Sequence, residues 1–131
     1  MSMDSVCPAL ARALAHRKDS FRRRLVALIR ERAGGDAVAV YKRAGIDRRT
    51  YAKVIGSDSY RTSRRTAEAL CLALGLDTAE ADDLLRPLGF ALGDHATDDL
   101  VVRYALASGI HDLKAVNHLL AAAGAEPFEL K

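Results

Sequence analysis

The segment KRAGIDRRTYAK, residues 42–53, sets five cationic side chains, Lys42, Arg43, Arg48, Arg49 and Lys53, on either side of one glycine. A guanidinium is a planar fork of N–H donors that matches paired acceptors, such as two phosphate oxygens or the O6/N7 edge of guanine. An ammonium adds a compact point charge. Arg61, Arg64 and Arg65 follow shortly after. Such a set can hold a polyanion. Bond-making chemistry is not expected, because no Ser-His-Asp grouping, glycine-rich phosphate loop or Gly-Lys-Ser/Thr motif accompanies it. The expectation is a binding protein, not an enzyme, with no cofactor.

Charge is segregated along the chain. The 131 residues carry a formal net charge of +3, but residues 1–65 hold 16 Lys and Arg against 6 Asp and Glu, a balance of +10. Residues 66–131 hold 4 against 11, a balance of −7. A positive half is the footprint of a module that faces phosphates; the alternative is that the halves neutralise each other across an internal or dimer contact.

Helices must position these cations. Hydrophobic residues make up 50% of the chain, much of it Ala and Leu, with no Trp and three Pro. Ala and Leu favour helix over strand, so an all-α domain is expected. Pro8 suits a first helical turn, with Leu10, Ala13 and Leu14 at helical spacing after it. Asp19-Ser20 predicts the cap of a helix with Phe21, Leu25, Leu28 and Ile29 on one stripe and Arg22-Arg23-Arg24 outside, ended by Gly34-Gly35. Asp36 caps a short helix with Ala37, Val40 and Ala44 inward, and Gly45 ends it. Asp47 caps the next; with Tyr51, Val54 and Ile55 inward, the helical period sends Arg48, Arg49, Ala52 and Lys53 to solvent.

The loop SDSYRTS leads to a helix from about Arg64 to Leu74, with Ala67, Leu70, Cys71 and Leu74 inward and Gly75 closing it. Thr78 is the predicted cap of the following helix, cored by Leu84, Leu85 and Leu88 and kinked or ended at Pro87. Two more helices, Asp98 to about Ser108 and Asp112 to Ala123, stop at Gly109 and Gly124. The chain thus divides into an N-terminal short helix or arm (1–18), a helical bundle (19–92), a C-terminal helical extension (93–124) and a tail (125–131).

Arg64 and Arg65 fall in a first helical turn, where each cation opposes the helix dipole by ~0.3–1 kcal/mol. An external phosphate, clamped also by Arg61 and Tyr60, is expected to offset that cost; the internal alternative is pairing with Asp58 or Glu68. Cys7 and Cys71 form no Cys-x-x-Cys pair, and His111 and His118 are not at ligand spacing, so no metal is expected and the cysteines read as free thiols. No signal peptide is recognisable, and no apolar run approaches the ~18 residues of a membrane span, so a cytoplasmic, membrane-free chain is expected.

Short helix, glycine corner, short helix, loop and longer helix resembles the lambda-repressor/Cro-type helix-turn-helix domain of the XRE class over residues 21–88. Val40, Ala44, Gly45 and Ile46 match its turn, Tyr51 and Val54 its second helix, and CLALGL the end of its fourth helix. Tyr41 departs from the small residue usual there, as do Ile55, Gly56, Ser57 and Thr62 from the positions after the second helix. The resemblance implies a five-helix bundle with added C-terminal helices and a double-stranded DNA partner in transcriptional regulation. Arg48, Arg49, Thr50 and Lys53 would then read the groove, and Lys42, Arg43, Arg61, Arg64 and Arg65 grip the backbone. It also implies a homodimer, which the C-terminal helices would form. The rival expectation is an interaction module that keeps the shape and binds a protein partner on its acidic C-terminal half.

Overall fold

A computed structural model describes residues 3–16, 21–57 and 60–129, with the backbone alone for 3–4 and 14–16. The described chain is all-helical: α1 (Met3–Val6), α2 (Pro8–His16), α3 (Phe21–Ala33), α4 (Ala37–Arg43), α5 (Arg48–Gly56), α6 (Arg64–Ala73), α7 (Thr78–Leu85), α8 (Thr97–Ala107) and α9 (Leu113–Ala122). The expected cap at Asp19-Ser20 and the acid Asp58 lie outside the described residues.

Local chemistry sets most of the helix starts. The carboxylates of Asp36 and Asp47 accept the N–H groups of Ala39 and Thr50 at 3.1 and 2.7 Å, and Ser63 Oγ accepts that of Thr66 at 3.2 Å. Each satisfies a donor that the helix itself leaves unpaired. Two expectations are corrected. Asp77, not Thr78, caps α7, in a reciprocal box with Glu80 (2.8 and 3.1 Å). α8 starts at Thr97 after Ala96, with no side-chain cap, and its Asp99 turns into the protein. At Pro87 the early end is what the structure shows: α7 stops at Leu85 and a single 3₁₀ turn, Arg86–Leu88, carries the proline.

α6 is central. It packs on α4, α7, α8 and α9, and Ala67 to Ala73 are buried without a break. Leu25 and Val40 of the basic half and Val102, Val116 and Leu120 of the acidic half all belong to the core around it. Cys71, buried in that core, has its thiol pushed up to about 12, chiefly by desolvation, so it packs as a small apolar group. α2 stands apart: none of residues 5–13 is buried.

Residues 125–129 are not a tail. Phe128 is buried, its N–H donates to Asn117 Oδ1 at 2.7 Å, and its carbonyl accepts from Asn117 Nδ2 at 2.9 Å. The paired amide of α9 holds Phe128 against the core. Phe128→Ala should therefore lower stability by about 3 kcal/mol, the usual cost of truncating a buried phenylalanine. Urea denaturation checks this; an unchanged midpoint would mean that the segment is not docked.

Candidate nucleic-acid interface

The glycine corner between α4 and α5 is fixed by backbone hydrogen bonds. Gly45 has φ +69°, which L side chains resist, and its N–H donates to Lys42 O while the N–H of Ile46 reaches back to Tyr41 O, both at 3.1 Å. These two bonds are the Schellman closure of α4. The Tyr41 ring meets that of Tyr51 across the corner at 5.1 Å between centroids, tilted by 31°, an aromatic contact between the two helices. Tyr51 and Val54 are buried, and α5 packs on α3 and α4.

Six of the cations expected at an interface stand in solvent, five of them on the two helices of that corner. Lys42 and Arg43 on the last turn of α4, Arg48, Arg49 and Lys53 on α5, and Arg61 in the following loop are all exposed. None of them makes an ion pair or side-chain hydrogen bond among the described residues. Thr50 is half-buried, its N–H taken by the Asp47 cap. Lys42 and Arg43 suit the negative end of α4, but Arg48 and Arg49 oppose the positive end of α5, whose first turn contains no acid. Asp47, its N-cap, precedes the helix.

Arg64 and Arg65 are placed differently. Arg64 Nη2 donates to Asp99 Oδ1 at 2.6 Å and to Ala91 O at 2.8 Å, and its guanidinium carbon lies 5.8 Å from the Phe90 ring centroid. Arg65 Nη2 donates to Glu126 O at 2.6 Å, its guanidinium carbon sits 4.3 Å from the Phe128 ring centroid, and its Nη1 lies 3.9 Å from Asp98 Oδ2. Acids of α8 and carbonyls of the segments before α8 and after α9 therefore offset the dipole cost, and no external anion is needed at the start of α6. Gly93 makes room for this: a Cβ there would lie 2.7 Å from Asp99 Oδ2, which accepts the Gly93 N–H. These partners lie 27 to 61 residues away in sequence. No local spacing announces them.

Beneath Arg64 lies Glu68, 1% exposed, with neither carboxylate oxygen hydrogen-bonded and Oε1 3.8 Å from Arg64 Nε. Desolvation raises its pKa to about 7; Arg64 and Arg65 pull it down, while Asp99 and Asp98 push it up.

Comparison of the chain with protein-family models, curated proteins and solved structures returns no match.

Glu68 makes stability depend on pH with a definite sign. The folded chain keeps a proton that the unfolded chain releases above its ordinary pKa of 4.5, so stability falls as pH rises from there to about 7. The span corresponds to about 3 kcal/mol at most. Glu68→Gln keeps the shape without the charge and should gain on the parent between about pH 5 and about pH 8. Urea midpoints at both pH values measure it; parallel shifts in parent and variant would count against a protonated Glu68.

Proposed function

We propose that this chain is a helix-turn-helix protein of the lambda-repressor/Cro type that binds double-stranded DNA, in transcriptional regulation. One observation carries the reading: on the two helices of the glycine corner, five exposed cations make no ion pair or side-chain hydrogen bond among the described residues. Two of them face the wrong end of a helix dipole. A polyanion outside the protein removes that cost and gives the forks of Arg48 and Arg49 acceptors to match. Arg48, Arg49, Thr50 and Lys53 face the groove in this reading, and Lys42, Arg43 and Arg61 hold phosphates. Arg64 and Arg65, engaged internally, are removed from the expected contacts and become braces for α6.

A second reading, a module that binds protein, is favoured by an apolar groove between α8 and α9 in the acidic half. A homodimer through the C-terminal helices is compatible with both.

Binding to mixed duplexes, followed by fluorescence anisotropy across a salt series, tests the first reading. With about three or four phosphates neutralised, log affinity should fall against log salt with a slope of about −3 to −4. Arg48→Ala and Arg49→Ala should each cost about 1–3 kcal/mol if they contact bases, whereas Arg64→Ala should lower stability and leave the salt slope unchanged. Absence of binding at about 50 mM salt would remove the proposal.

A further inference from the structure

Two apolar features of this chain lack a partner among the described residues. The groove between α8 and α9, about 500 Å³, is lined by Leu100, Val101, Tyr104, Leu119, Ala122 and Ala123, with Thr97 at its end. Leu100 and Tyr104 are 46% and 58% exposed on its wall. The other feature is the N-terminal helical arm, where Val6 and Leu10 are 61% and 45% exposed and none of the described side chains joins the core. Leu10, Ala13 and Leu14 recur at the spacing of one helix face. Of the seven large apolar side chains left exposed among the described residues, these two features hold four. A monomer gains nothing from either.

The arm does not seat in its own groove: Leu10 of the arm and Tyr104 of the groove wall both stand exposed. Charge agrees with an exchange between molecules: residues 1–18 carry three cations against one acid, +2, and residues 66–131 carry −7.

We propose that α2 of one copy seats its Leu10 side in the α8/α9 groove of a second copy, and that the exchange is reciprocal. Two identical contacts close a twofold dimer in which each arm crosses to the partner. The inference specifies how the homodimer reading is realised and does not depend on DNA binding.

The test uses full-length chain and two exposed-site variants, Leu10→Asp and Tyr104→Glu, with circular dichroism as the check on folding. Light scattering should give twice the mass of one chain for the parent and a single-chain mass for each variant. Mixed together, the variants retain one intact arm and one intact groove. They should form a heterodimer, weaker than the parent dimer, that energy transfer between labelled copies detects. A monomeric parent overturns both this inference and the homodimer reading. A dimer that ignores Leu10→Asp overturns only the arm exchange and leaves the C-terminal helices pairing directly. Two monomeric variants that do not complement each other overturn it as well.

Discussion

In α6 seven successive residues, Ala67 to Ala73, are buried, and a helix with no solvent side has to be enclosed by others. α4 and α7 cover part of it; α8 and α9 cover the rest. The acidic C-terminal helices therefore complete a core that the basic helices leave open. The small side chains Ala67, Ala69 and Ala73 let neighbours approach from several directions, while Leu70 and Leu72 fill the space between. Glu68 lies inside this enclosure because Arg64, one turn earlier, and Asp99 on α8 meet above it. The cost is a desolvated carboxylate that takes up a proton more readily than an exposed one.

The same enclosure decides where the charges go. The segregation of charge along the sequence allows two outcomes, neutralisation within the protein or attraction of something outside, and the fold realises them in different places. Arg64 and Arg65 meet acids and carbonyls of the C-terminal half, Arg32 of α3 pairs with Glu80 of α7, and Arg24 donates to Asp83 O at 2.7 Å. None of these contacts reaches α5. The acidic half answers the cations near α6 and α7 and leaves those of the α4–α5 corner open to solvent.

What could be read from sequence follows the range of the forces involved. Asp36, Asp47 and Asp112 cap helices through bonds to residues two or three positions on, and Gly45 reverses the chain within one turn; both are set by neighbours and were legible. The helical period likewise placed Tyr51 and Val54 inward and Arg48, Arg49 and Lys53 outward. On α6 the same period yields one stripe, Ala67, Leu70, Cys71 and Leu74, and misses the opposite side, since Ala69 and Ala73 become core only when distant helices arrive. The long-range partners of Arg64 and Arg65 escape local spacing for the same reason. Phe128 did leave a signal, one of three phenylalanines standing in a segment otherwise taken as tail, but the Asn117 amide that holds it has no spacing rule.

α5 shows how the open cations are tolerated. Two arginines at its positive end cost ~0.3–1 kcal/mol each at low salt. Against this stand the Asp47 cap, worth about 1 kcal/mol, and burial of Tyr51 and Val54, at about 1.5–3 kcal/mol for a side chain of valine size or larger. The anchoring terms exceed the electrostatic cost, so the helix holds its place without a counter-anion. A bound polyanion then adds favourable energy to a helix already in position, and the guanidinium groups meet it on a corner whose geometry Gly45 and the Tyr41–Tyr51 contact have already fixed.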